Sequence, residues 1–160
     1  LGYLNQRRTD HTFSSWDEVA RILAIEDEDG LAPVRVLERG YRSTAQIIAF
    51  ANQLLPREDR KLYSMQQGGQ VPSVVKVAKG QKVVDEALSA AIDLLGKVGR
   101  GTVAIIGSDQ RAITARLSSL DWKTVSAGSS IWTDGARELR VLIPQRARGL
   151  EFDAVVVVEP

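Results

Sequence analysis

The chain has 160 residues, 44% of them hydrophobic, with 21 basic and 20 acidic side chains and a formal net charge of +1. This length suits one domain, and the near-balance of charge leaves no global field to draw in nucleic acid or an anionic membrane. Cysteine is absent and histidine occurs once, at His11, which excludes a disulfide framework and any Cys/His zinc site. No apolar run approaches the roughly 20 residues that span a bilayer and no signal peptide is read before Leu1, so the expectation is a soluble, cytoplasmic protein with no membrane contact.

Residues 1–13 are polar and arginine-rich. Ser14 or Ser15 is predicted to cap a short helix, because Asp17 and Glu18 fall in a first turn where carboxylates complement the dipole, and Trp16, Val19, Ile22 and Leu23 make an apolar stripe. The acidic run 26–30 follows no buried strand and reads as a solvated loop rather than a metal site. A strand is predicted at 34–38. Gly40 turns the chain, and Ser43 or Thr44 caps a helix reaching Leu55, with Ile47, Ile48, Ala51 and Leu54 at helical spacing and Pro56 as its stop. Tyr41 and Arg42 are thereby expected on the loop before a helix's first turn, where backbone N–H groups favour anions and an arginine adds a planar, permanent cation. Residues 57–70 read as a connector closed by Gly68 and Gly69.

A second unit is predicted as a strand at 74–78 and a helix at 82–95, with Val84, Ala87, Leu88, Ala91 and Leu95 on one face. A third has a buried strand at 102–106, a turn and cap at Gly107, Ser108 and Asp109, and a helix through Leu120. Residues 123–127 are a further strand candidate, 131–136 read as loop, and 139–143 as strand. A loop then carries Gln145, Arg146 and Arg148, a tight turn opens on Gly149, and the strand 154–158 follows. Its four consecutive valines have no amphipathic period, which predicts cover on both faces and a central place in a parallel sheet. Gln145, Arg146, Arg148, Glu151 and Asp153 would then lie beyond the carboxyl ends of the strands, where open α/β sheets bind ligands. Strands alternating with helices predict a three-layer α/β/α domain with a mainly parallel sheet. The chain starts without methionine and stops at Pro160 just after an apolar strand, so an excised piece of a longer protein is expected.

Three segments, in this order, resemble the second motor domain of superfamily one helicases of the UvrD and Rep type. ERGYRSTAQIIAFANQLL, residues 38–55, is similar to motif IV with its Tyr-Arg-Ser core; TVAIIGSDQRAITARL, residues 102–117, to the strand and helix downstream; and RARGLEFDAVVVVEP, residues 146–160, to motif V with its Gly-Leu-Glu-Phe-Asp and valine strand. Gly2 to Gln6 resembles the tail of motif III, whose glutamine senses nucleotide, with Tyr3 in place of the expected aspartate. The wording is closest to the helicase IV-like branch, some members of which act on RNA polymerase. The resemblance implies a RecA-like (P-loop NTPase-like) fold, with residues 1–33 ending the preceding motor-domain motif and a linker helix, and 34–160 forming the second motor domain, truncated after motif V.

It also implies roles. Tyr41 matches the aromatic that stacks on adenine, Arg42 the catalytic arginine finger that reaches the γ-phosphate, Gln6 the nucleotide sensor, and Glu151 the acid near the ribose. Arg148 and Gly149 belong to the same nucleotide-facing turn, Arg148 standing where the family has lysine. Gln145 and Arg146 fall where motif V meets nucleic acid, Gln145 in the place of a common histidine and Ile143 in that of a threonine. Plainer readings stand beside these: Tyr41 as cover for the helix start, Arg42 as an ion-pair partner of Glu38, Glu151 as a dipole partner, and Arg146 and Arg148 as solvated cations. The three tryptophans read as core or rim packing.

No GxxxxGK[ST] loop occurs, Gly96-Lys97 lacking both the upstream glycine and the hydroxyl residue. No metal ligands are read. ATP with Mg is therefore expected only in the full-length protein, where a first motor domain of the same chain completes the site and single-stranded DNA is the track. The isolated piece is expected to be inactive and cofactor-free. The alternative is a non-catalytic α/β interaction module, for example one binding RNA polymerase.

Overall fold

The computed structural model describes residues 15–25, 39–57, 60–77 and 81–158. The chain divides into two compact units, Leu1–Val75 and Lys76–Pro160. Gln6, the strand predicted at 34–38 and the acidic run 26–30 lie outside the described residues.

In the first unit Ser15 caps helix α1, Trp16–Ile22. Its hydroxyl accepts the Glu18 backbone N–H at 3.2 Å, satisfying one of the donors a helix start leaves open. Strand β1 (Arg39–Thr44), helix α2 (Ala45–Leu54) and strand β2 (Tyr63–Gln66) form a βαβ unit with parallel strands. Arg60 finishes α2: its Nε donates to the Leu55 carbonyl at 2.9 Å and Nη2 to the Gln53 carbonyl at 3.3 Å, acceptors that have no partner within the helix. Asn52 Nδ2 donates to the Leu62 carbonyl at 2.9 Å and so sets the entry to β2.

The connector predicted at 57–70 therefore contains a strand. Side chains of β2 tie it to β1, the Ser64 hydroxyl donating to the Ser43 carbonyl and Gln66 Nε2 to the Tyr41 carbonyl at 2.7 Å. The strand predicted at 74–78 is not formed over 74–77. Val71, Val74 and Val75 are exposed there, and Pro72 has no N–H to offer a ladder.

The second unit contains α3 (Gln81–Val98), β3 (Val103–Gly107), α4 (Gln110–Ser119), β4 (Lys123–Thr124), β5 (Ile131–Thr133), β6 (Glu138–Leu142), α5 (Pro144–Ala147) and β7 (Ala154–Val158). Its five-stranded sheet runs β4-β5-β6-β3-β7. β3 is parallel to both β6 and β7, while β5 is antiparallel to β6 and β4 to β5. The sheet is thus mixed, parallel only over three strands, and the described strands of the whole chain form two sheets rather than one. The antiparallel margin arises because Asp134-Gly135 closes a hairpin over residues read as loop. Asp134 Oδ1 accepts the N–H groups of Ala136 and Arg137 at 3.0 and 2.9 Å, and Gly135 takes φ +94°.

Strand alternation builds the core. Val103 and Ile105 face the same way as their register partners Leu139 and Val141. Leu88, Ala91 and Leu95 of α3, Ile113 and Leu117 of α4, and Trp122 and Trp132 complete one buried cluster with them. Both long helices therefore pack on one face of the sheet.

The valine strand departs from expectation in two ways. β7 is an edge strand among the described residues rather than a central one. Its alternate residues are open, Val155 at 40% and Val157 at 56% exposure, while Ala154, Val156 and Val158 pack against the core. Valine favours the extended, pleated backbone whichever face is covered, so the run encodes a strand without encoding cover on both sides.

Candidate functional site

Tyr41 and Arg42 stand inside β1, one step earlier in the local structure than the loop predicted for them. The pairing with β2 slips there: Gly40 to Thr44 covers four steps while Ser64 to Gln66 covers two. The extra residues on β1 make a bulge in the pairing, a feature common beside functional sites. Tyr41 is 66% exposed and Arg42 is exposed. Thr44 is the N-cap of α2, but its hydroxyl makes no capping bond and has no hydrogen-bond partner. The Thr44 side chain is crowded by Gly69, where a Cβ would come within 2.7 Å of it and φ is +100°, so glycine is needed there on both counts.

Arg148, Gly149 and Glu151 lie in the second unit, on the crossover from β6 to β7. That crossover is partly helical. Pro144 opens α5 at a position where its missing N–H costs nothing, and α5 touches β3. Gln145 and Arg146 are exposed on this turn of helix, just past the carboxyl end of β6. Gly149 has φ +78° with open space around its α-carbon, so the turn needs glycine for its backbone and not for room. Arg148 and Glu151 are exposed on either side of it.

Asp153 does something else. Its Oδ2 accepts the Thr102 backbone N–H at 2.7 Å and the Thr102 hydroxyl at 3.0 Å, while its own N–H donates to the Thr102 carbonyl at 3.0 Å. The backbone N–H of Thr102, helped by the hydroxyl, holds the carboxyl below the ordinary carboxylate range. Gly101 leaves room for this, since a Cβ there would sit 3.0 Å from the carboxylate. Asp153 therefore fastens the amino ends of β3 and β7 instead of joining a ligand cluster at their carboxyl ends. Its pairing with Thr102, 51 residues upstream, had no local sequence signal.

Beyond the carboxyl ends of β3 and β7 lies an open groove of about 690 Å³ between α3 and α4. Its two charged lining residues are paired within the protein: Asp109 Oδ1 accepts the Ala112 N–H at 3.0 Å as the α4 cap, and Arg116 Nε meets Asp85 Oδ1 at 2.6 Å. Among the described residues no group of His, Cys, Asp or Glu is placed to hold a metal ion. No helix among them is long and apolar enough to cross a membrane.

Compared with known protein families, with curated proteins and with solved structures, the chain matches none.

Proposed function

We propose that the chain is the second motor domain, RecA-like in fold, of an ATP-dependent DNA helicase or translocase of the UvrD/Rep type, whose ATP site is completed by a first motor domain. The observation that carries the reading is the head of α2: an exposed tyrosine and an exposed arginine, adjacent in a strand bulge that runs directly into a ten-residue helix. Tyr41 offers a ring for adenine. Arg42 offers a planar cation that a γ-phosphate on a facing domain can meet.

Phosphoryl transfer asks little covalent chemistry of a protein; it asks for positive charge placed as charge moves off the phosphate. An arginine supplied from a second domain couples that chemistry to the opening and closing of a cleft. Arg148 and Glu151 flank the Gly149 turn as the cation and the ribose acid of the same reading, with Gln6 as nucleotide sensor and Gln145 and Arg146 toward single-stranded DNA.

The open face of β7, with Val155 and Val157 uncovered, favours a second reading, a non-catalytic α/β interaction module for a protein such as RNA polymerase. Arg42→Ala in the longer protein separates the two. A motor is expected to lose about 10³- to 10⁵-fold in ATP turnover, and turnover that stays level would leave only the module. ATP hydrolysis by residues 1–160 alone would contradict a site completed from elsewhere.

A further inference from the structure

We infer that α1 and the turn after it form a docking helix for a partner protein whose apolar groove is rimmed by lysine or arginine. The inference rests on neither reading of the nucleotide site, since α1 carries none of the residues assigned there. Trp16, Val19, Ala20 and Leu23 recur at i, i+3, i+4 and i+7, which puts them on one face, and Ile22 borders it. The chain leaves the helix through a Schellman turn: Ile25 N–H donates to the Ala20 carbonyl at 2.9 Å and Ala24 N–H to the Arg21 carbonyl at 3.2 Å. Ala24 takes φ +49° there, a left-handed position that usually falls to glycine. These bonds fix Ile25 beside the last turn of α1.

The apolar side chains there are largely open. Trp16 is 36% exposed, Ile25 46%, and Ile22 and Leu23 61% each, while the only buried residue of α1 is the small Ala20. No other described element packs extensively on the helix. Seven residues fall short of the roughly 12–15 at which a helix holds its shape in water, so α1 depends on cover for its apolar face. Charge chooses what covers it. From Asp17 to Asp29 the sequence holds six acidic residues against one basic, Arg21, and widening the window to 9–34 adds Asp10 and no lysine or arginine. Residues 26–29 enter this count by sequence alone. A negative flank beside an apolar helix face fits a groove with a cationic rim, where opposite potentials steer the encounter and set the register. An anionic membrane or a nucleic acid would be repelled, and a second copy would set acid against acid.

The test is a titration of the 160-residue chain with a designed helical hairpin whose leucine-lined groove is rimmed by lysines, and with its glutamate-rimmed counterpart. Tryptophan emission reads it directly, because Trp122 and Trp132 are buried and Trp16 alone of the three can pass from water to cover. A blue shift is expected with the lysine rim, binding about tenfold or more weaker with the glutamate rim, and no shift in Trp16→Phe. Ile22→Ala is expected to weaken binding about 5- to 30-fold; alanine is the better helix former, so α1 persists in this variant. Asp17→Asn is expected to slow association and flatten the salt dependence while dissociation stays within about twofold. Ile47→Ala, which alters another open isoleucine of the same unit, should leave binding unchanged. No shift with the lysine rim, equal binding of both hairpins, or an unaffected Ile22→Ala would each overturn the inference. A matching shift with neutral phosphatidylcholine vesicles would give the face to lipid, and a concentration-dependent dimer lost in Ile22→Ala would give it to a second copy; either result overturns the partner groove. None of these outcomes bears on Arg42 and ATP turnover, which stand or fall separately.

Discussion

Strands β3 and β7 are parallel neighbours of nearly equal apolarity, VAIIG beside AVVVV, yet they live in different surroundings. β3 is paired on both edges and buried except at the half-buried Ile106, with Ala104 and Ile105 fully enclosed. Among the described residues β7 is paired on one edge only, and it alternates between packed and open residues. The difference teaches that hydrophobic composition selects the extended backbone, while the number of paired edges and the side on which helices lie decide how much of it is buried.

Removing side-chain volume at the centre should hurt most. Ile105→Ala is expected to cost about 2–5 kcal/mol, because a fully enclosed site cannot collapse around the cavity; chemical denaturation measures it, and a loss under about 1 kcal/mol would place the core elsewhere. A smaller effect is expected where the two strands are fastened. Asp153→Asn should lower the melting temperature at neutral pH and lose its effect in acid. The folded-state carboxyl lies below its ordinary value of 3.8, so its contribution is complete above that value and disappears as pH falls through the lowered one. A parent-minus-variant difference that stays constant from pH 7 to pH 2 would remove the role given to the clasp. The smallest effect is expected on the open side: Val157→Thr should stay within about 0.5 kcal/mol. A cost above 2 kcal/mol would mean that this face is covered in solution.

Much of the second unit was legible from sequence because its signals are local. Asp109 caps α4, the 3.6-residue apolar period marks α3, and the run at 103–107 marks β3. The tryptophans at 122 and 132 were rightly read as packing. What failed was pairing. β5 was read as loop although Asp134-Gly135 between apolar neighbours is a hairpin signal, and β2 was missed because YSMQ owes its place to hydrogen bonds with β1 rather than to a periodic pattern. In the candidate site, the exposure of Tyr41 and Arg42 followed from their position before a helix. The bulge that presents them depends on the register with β2, which no window around residue 41 contains. The Gly149 turn was legible, whereas the engagement of Asp153 with Thr102 was not.

The Thr102–Asp153 clasp also sets an order of events. On a chain emerging from the ribosome, β3 can meet α3 at once, since the two are close in sequence, and β6 follows some 35 residues later. The other margin of β3 must wait for residues 153–158, so for that interval a strand edge rich in β-branched side chains is bare to any passing extended segment. Slowing translation before residue 153 should therefore raise misassembly during synthesis more than slowing it after residue 158.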